Sequence, residues 1–106
     1  MAKYLVQFSY TGDGLKGLLK EGGSKRREAI EQLVKSMGGK LEAYYFAYGE
    51  YDGIGIVEGT DIVNQLAGLL AINASGAVKT KTTVLLTPEE VDQAVKKIPS
   101  FRPPGK

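Results

Sequence analysis

Residues 40–58 read KLEAYYFAYGEYDGIGIVE. Two strand-like runs, Lys40–Tyr48 and Tyr51–Glu58, are separated by only Gly49 and Glu50. Runs of this kind on both sides of a two-residue gap predict a β-hairpin, and glycine at the first turn position fits a type II′ turn. Because a hairpin joins antiparallel strands, this stretch excludes a sheet that is parallel throughout.

The segments on either side of the hairpin alternate between strand-like and helical patterns. The resulting order is βαββαβ followed by a short helix, which predicts an α+β, ferredoxin-like split βαβ fold. Its sheet is antiparallel in the order 4-1-3-2, and both main helices lie on one face. The predicted elements include strands at Lys3–Tyr10 and Val78–Leu86. The first main helix starts at Ser24, which can cap it, and ends at Gly38-Gly39; the second runs from Thr60 or Asp61 to Gly76. A last helix starts at the capping box Thr87-Pro88-Glu89-Glu90.

The size of the chain suits one small domain. It has 106 residues, of which 42% are hydrophobic and 25% are charged. We expect a single domain over residues 1–98 and a tail over residues 99–106, where the prolines of SFRPPGK cannot extend the last helix.

Composition excludes several classes of function. The chain has no histidine and no cysteine, which removes thiol nucleophiles, imidazole bases and the zinc and haem sites built on these residues. We therefore expect no metal and no cofactor. A net charge of +2 is too small to indicate nucleic acid. The N-terminus MAKYLVQFSY lacks the apolar core of a signal peptide, and no apolar run could cross a bilayer, so we expect a cytoplasmic protein that binds no membrane.

Alternation along the hairpin sorts its side chains onto two faces. With Gly49-Glu50 as the turn, Tyr48 lies opposite Tyr51. The first face is expected to pack against the helices, and it holds Leu41, Ala43, Tyr45, Ala47, Asp52, Ile54 and Ile56. The second is a row of rings over glycines: Tyr44, Phe46, Tyr48 and Tyr51 with Val57, Gly53 and Gly55.

The ring-bearing face is the first candidate site. No helix is expected to cover it, and exposed apolar patches mark interfaces or ligand grooves. The candidate ligand or interface residues are accordingly Tyr44, Phe46, Tyr48 and Tyr51 on this face, together with Asp52 beside the turn. A face-to-face homodimer is the favoured interpretation, and shielding by the C-terminal helix or tail is the alternative.

The sequence resembles the GYD-domain family of small bacterial and archaeal proteins. The likeness is carried by Gly49, Tyr51 and Asp52 in GEYDGIGIVEG, with support from YTGDGLKGLLKEGGSKRREAI, SMGGKLEAYYFAYG and LLTPEE. Together these stretches cover roughly residues 3–95. The resemblance implies a ferredoxin-like protomer related to the dimeric α/β-barrel group, in which two sheets pack together, and it implies no established reaction.

Charged residues supply the second candidate site. The turn would place Asp52 near the start of the first main helix, where Lys25, Arg26 and Arg27 lie. A carboxylate there can accept backbone N–H groups or pair with an arginine, so we expect a structural role, with ligand binding or general-base chemistry as the alternative. The basic run is either a solvated surface or an anion site at the helix N-terminus.

A glycine pattern follows the first strand. Gly12, Gly14 and Gly17 have the spacing of a dinucleotide-binding loop. That function needs a long helix after the glycines and a parallel sheet, whereas Gly22-Gly23 stop any helix here. We therefore expect a flexible connection with at most one or two helical turns over residues 15–20.

Two functions remain open. The first is a dimeric binding or assembly module whose partner is a second copy, with a higher oligomer and a small-molecule ligand as further options. The second is a cofactor-independent enzyme of the monooxygenase or isomerase type, which would use a cavity at the dimer interface. Polar groups converging in such a cavity would favour the enzyme, and a flat, filled interface would favour assembly.

Overall fold

A computed structural model describes residues 2–106 and shows a four-stranded sheet in the order β2-β3-β1-β4. Every neighbouring pair is antiparallel. Read from the opposite edge, this order is 4-1-3-2, and the α+β class is as predicted. The elements are β1 Lys3–Tyr10, α1 Gly12–Glu21, α2 Gly23–Ser36, β2 Lys40–Phe46, β3 Gly53–Glu58, α3 Ile62–Ala74, β4 Val78–Leu85 and α4 Pro88–Val95.

Short polar side chains start three of the helices. Thr11 accepts the N–H of Gly14 at the start of α1, and Asp61 does the same for Asn64 at the start of α3. Thr87 caps α4 within a complete capping box. The exception is α2, which begins directly after Gly22 without a side-chain cap, so the prediction that Ser24 caps this helix is wrong.

The connection between β1 and α2 is more ordered than predicted. Residues 12–21 form the ten-residue helix α1, which ends at Gly22 with φ +82°. Its start is packed tightly, since a Cβ on Gly14 would collide with the carbonyl oxygen of Ala77. The glycine at position 14 therefore allows α1 to approach the start of β4, and the prediction of a flexible connection is wrong.

The hairpin has the predicted register but a longer turn. Tyr44 pairs with Gly55 and Phe46 with Gly53, as the sequence predicts. The strands then end, and residues 48–51 form a bend closed by a bond of 2.9 Å from the N–H of Ala47 to the carbonyl of Asp52. Gly49 has φ +143°, far from the value of about +60° that a type II′ turn requires at this position. The predicted two-residue turn, with Tyr48 opposite Tyr51 in the ladder, is therefore wrong.

A β-bulge shifts the alternation in β2. The register passes from Leu41 opposite Val57 to Ala43 opposite Ile56, so Glu42 is an extra residue. Leu41 consequently lies on the same face as Tyr44, and not on the face of Ala43 as strict alternation predicts.

The assignment of the two sheet faces is reversed. The apolar residues that are most buried beneath the helices are Tyr4, Phe8, Val34 and Val57, and Gly53 and Gly55 are buried beside them. The rings of Tyr44 and Phe46 lie on this helix-covered side, whereas Ile54 and Ile56 point to the other. The prediction took aliphatic side chains for the core, but the large rings fill the space that the strand glycines leave open.

The two main helices cover different parts of the sheet. α2 packs mainly on β2, and α3 packs mainly on β4. They leave a cleft between them that reaches down to Val6 and Phe8 of the central strand β1. In the part of the chain that the structure describes, no helix is long and apolar enough to cross a membrane.

The C-terminal segment extends away from the sheet. The chain measures 57 × 32 × 23 Å, and its radius of gyration is 17.0 Å. A compact domain of this length has a radius of about 13 Å. Every residue from Leu86 to Lys106 is exposed, and we call this segment the C-terminal arm.

Candidate binding site

Asp52 is bonded to the backbone of β1. Its Oδ2 accepts the N–H of Tyr10 at 2.8 Å, and its own N–H donates to the carbonyl of Phe8 at 2.8 Å. These bonds extend the pairing of β3 with β1 past Gly53. Tyr10 lies directly before Thr11, which caps α1, so the carboxylate binds a backbone N–H beside α1 and not one of α2, the predicted first main helix. Among the described residues, neither Arg26 nor Arg27 pairs with it.

The four predicted aromatic residues separate into two groups. Phe8 stacks on Tyr44 at a centroid distance of 5.4 Å and meets Phe46 edge-on at 6.3 Å, on the helix-covered side of the sheet. Tyr48 is fully exposed in the bend, and Tyr51 is half-buried there. The rings therefore do not form one row on an uncovered face: Tyr44 is half-buried on the helix-covered side, Phe46 lies on the same side and is 44% exposed, and Tyr48 and Tyr51 lie in the bend.

The uncovered face of the sheet carries a different apolar set. Leu5 lies at its centre, opposite Ile56 of β3 and Thr83 of β4, and Ile56 in turn faces Ala43. Neighbouring pairs add Ile54 and Tyr45, whose ring is 66% exposed. Within residues 2–106 no helix packs over these side chains, so an apolar patch of the kind that is usually covered faces outward.

Charged groups border this patch at one end. Lys3 Nζ lies 2.8 Å from a carboxylate oxygen of Glu42 and 3.8 Å from one of Glu58, and the hydrogen bond that Lys3 donates to Glu42 raises the pKa of Lys3. The bulge that removes Glu42 from the ladder directs its carboxylate toward Lys3. An apolar centre with a charged rim is the usual composition of a protein interface.

The three basic residues at the start of α2 occupy different environments. Arg27 pairs with Glu31 at 3.1 Å on the outer surface, and Lys25 is exposed. Arg26 instead points toward the cleft, where its side chain is 28% exposed and lies 3.5 Å from Glu21. The predicted anion site is therefore reduced to Arg26, because the three side chains do not converge.

Tyr10 and Tyr44 join Arg26 in the cleft. Burial raises the pKa of Tyr44, and the neighbouring Tyr10 hydroxyl adds to the effect. Both phenols line the same cavity as the guanidinium of Arg26. Sequence analysis did not single out this group, although a signal was present: Arg26 stands four residues before Ile30 and therefore shares the apolar face of α2.

The C-terminal arm adds a second apolar surface. Val91 and Val95 lie one turn apart on α4 and are 50% and 60% exposed, and Ile98, three residues after the helix ends, is 72% exposed. An isolated helix of eight residues is unstable in water, so α4 needs a surface to pack against. Sequence analysis predicted the helix and its cap but gave no role to its exposed face.

Comparison with known proteins identifies the family. The model of the GYD domain matches residues 4–95. A protein of Thermus thermophilus, named "Glutamine synthetase and cystathionine beta-lyase binding protein", is 29% identical over 82 residues, which are 77% of this chain and 85% of that protein.

Two solved structures are similar in part. The crystal structure of an FFRP protein has 25% identity and a TM-score of 0.48, over 81% of this chain and all of that one. A protein of unknown function from Nitrosomonas europaea has 16% identity and a TM-score of 0.43, over 81% of this chain and 90% of its own. The family match spans most of the sequence, and the chain therefore belongs to the GYD domain family.

Proposed function

We propose that this protein is a homodimeric binding module that pairs through the uncovered sheet face and docks other proteins on its C-terminal arm. The apolar patch centred on Leu5 and Ile56 carries the proposal. The chain exposes 7750 Å², whereas a compact monomer of this mass exposes roughly 5,800 Å². The extended C-terminal arm adds to this difference, and the arm is the second surface of the proposal.

Two-fold pairing suits the patch. An interface between identical copies is self-complementary, so one apolar surface is sufficient. Leu5 lies on the central strand β1, and its immediate neighbours along the strand on this face are Lys3 and Gln7. Bringing two such faces together would bury Leu5 and Ile56 at the centre and leave the charges around Lys3 at the rim.

The oligomeric state tests the pairing. Multi-angle light scattering after size-exclusion chromatography should give twice the 11.4 kDa chain mass at micromolar concentration. Leu5→Asp should give the monomer mass, because the dimer would bury an unpaired carboxylate. Val63→Asp is the matched control, since Val63 is 72% exposed on α3. A monomeric parent, or dissociation by Val63→Asp and not by Leu5→Asp, would reject this interface.

Docking of other proteins rests on the arm and on the relative. The Thermus thermophilus protein is named for binding two enzymes. An amphipathic helix with Val91 and Val95 on one face, followed by the exposed Ile98, can bind in an apolar groove of such a partner. The alternative of a cofactor-independent enzyme is less well supported, because Asp52, its leading acid, is bonded to the N–H of Tyr10.

Direct binding tests this second part. The glutamine synthetase and the cystathionine beta-lyase of the same organism are immobilised in turn, and the parent is passed over them in a biolayer interferometry assay. We expect at least one to bind the parent and to lose binding with Val95→Asp. Gln93→Asp introduces the same charge on the opposite side of α4 and should bind like the parent. If neither enzyme binds, or if both variants bind equally, the arm is not the docking surface for these proteins.

A further inference from the structure

The cleft between the helices contains two adjacent cavities. The inner one, of about 60 Å³, lies over the sheet, and the outer one, of about 410 Å³, opens between α1, α2 and the end of α3. They share six lining residues: Tyr10, Arg26, Ile30, Leu33, Ile72 and Val78. The cavities are therefore two parts of one space, on the opposite side of the sheet from the apolar patch around Leu5.

Hydrogen-bond donors meet where the two cavities join. Tyr10 and Arg26 line both cavities, and Tyr44 lines the inner one. The side chain of Arg26 is nearly three-quarters buried, yet within residues 2–106 it makes no hydrogen bond, and its one ion pair is the 3.5 Å contact with Glu21. A guanidinium carries five N–H donors, so those of Arg26 that do not face Glu21 are available to a ligand acceptor at this junction.

We propose that this junction binds the carboxylate of a small amphiphilic molecule whose apolar body lies in the outer cavity. Arginine binds carboxylates through two parallel N–H···O bonds, which a phenol hydroxyl can supplement. The raised pKa of Tyr44 keeps its hydroxyl protonated at neutral pH, so it remains a donor.

The walls of the outer cavity fit an apolar body. They come from the facing sides of three helices, and six of the residues are Leu18, Ala29, Ile30, Leu33, Ala71 and Ile72. A volume of about 410 Å³ is within the range of small-molecule sites.

The acids of the outer cavity do not favour a cation instead. Asp13 lies in the first turn of α1, where the N–H groups of the helix start balance its charge. Glu21 lies beside Arg26, and its side chain is 34% exposed. It can therefore turn into solvent when a ligand carboxylate takes its place beside Arg26. Neither acid lines the inner cavity, which makes Arg26 the charged group closest to the buried end.

Head-group selectivity tests the proposal on the unmodified protein. Isothermal titration calorimetry with octanoate, octan-1-ol and octylamine compares one apolar chain with three head groups. We expect octanoate to bind at least tenfold more tightly than the alcohol or the amine, in keeping with a charged hydrogen bond in a partly buried site. Absence of octanoate binding up to millimolar concentration would overturn the proposal, as would equal binding of the three probes.

Adjacent arginines provide a matched pair of variants. Arg26→Leu should weaken octanoate binding by roughly ten- to one-hundredfold and leave octan-1-ol unchanged. Arg27→Leu makes the same change of charge at a side chain that pairs outward with Glu31, and it should bind octanoate like the parent. Equal losses in both variants would show a general charge effect and overturn the site. If Arg26→Leu does not fold, the comparison of the three head groups on the parent protein still tests the site.

A filled cavity gives an independent check. Ala71→Phe places a ring in the outer cavity and should abolish octanoate binding while circular dichroism remains that of the parent. Octanoate binding by this variant at the parental affinity would place the ligand elsewhere and overturn the proposal. The light-scattering mass of each sample reports the dimer separately, so a failure of this proposal is distinguishable from a failure of the sheet-face dimer.

Discussion

Gly53→Ala is the substitution that tests the position of the aromatic core most directly. A Cβ at Gly53 would lie 2.7 and 2.8 Å from two ring carbons of Phe8 and closer still to Cζ. Phe8 is only 7% exposed and is held by Tyr44 and Phe46, so its ring cannot turn away freely. Gly55 lies two residues along the same strand, on the same face and equally buried, but its nearest neighbours would be 3.7 Å from a Cβ.

The two positions should respond with opposite signs. Overpacking in a filled core costs about 1–3 kcal/mol, and the contact with Phe8 is close enough that we expect about 2–3 kcal/mol for Gly53→Ala. Gly55→Ala meets ordinary van der Waals contacts, and it reduces the freedom of the unfolded chain. That variant should change the free energy of unfolding by less than about 1 kcal/mol and in the stabilising direction.

Urea unfolding followed by circular dichroism measures both variants, with the protein concentration held fixed because a dimer makes stability depend on it. Phe8→Leu combined with Gly53→Ala should be more stable than the sum of the single changes predicts, since the smaller side chain removes the collision. If Gly53→Ala is as stable as Gly55→Ala, Phe8 does not lie over Gly53. The assignment of the ring-bearing face to the core would then be refuted.

Three further predictions concern Asp52, Thr60 and Glu90. Asp52→Asn should lower the free energy of unfolding by about 1 kcal/mol, and Asp52→Ala should lower it by about 1.5–3 kcal/mol. The difference arises because only asparagine keeps an acceptor for the N–H of Tyr10. Equal melting temperatures of the parent and the alanine variant would contradict this. Thr60→Val should cost about 1–3 kcal/mol in the same measurement, since Thr60 and Gln65 are both buried and bond each other at 2.9 Å. Hydrogen bonds from Thr87 lower the pKa of Glu90 from its ordinary 4.5, so the capping box stabilises α4 above that pH. NMR shifts of α4 should lose helical character as the pH falls through the lowered value, and shifts that stay constant to about pH 2 would contradict it.

The sequence predicted the parts of the fold that depend on local spacing. The order of elements, the antiparallel sheet and the register that pairs Phe46 with Gly53 all follow from alternation and from turn residues. The bulge at Glu42 could not be predicted, because one inserted residue leaves no mark in composition yet moves Leu41 to the opposite face.

The face of the sheet that packs against the helices was predicted wrongly for a different reason. Alternation divides a strand into two sets but does not say which set is covered, and a set of rings over glycines can serve as a core or as a surface. The decisive contact comes from Phe8, which lies far from Gly53 in sequence and fills the space above it. Such long-range complementarity is a tertiary effect that a single strand pattern does not contain.

The two proposed binding surfaces lie on opposite faces of the sheet, and adjacent residues of one strand belong to different surfaces. Leu5 and Val6 are adjacent in β1, yet Leu5 lies on the uncovered patch and Val6 lines the inner cavity. A dimer formed on one side therefore leaves the entrance between α1 and α2 open on the other, and no residue has to serve both surfaces. Because only β1 lies between the dimer surface and the inner cavity, any shift of β1 on dimerisation also moves the residues that line the cavity. A protein of this size can therefore hold a small molecule and a second copy at once, with a single layer of backbone between them.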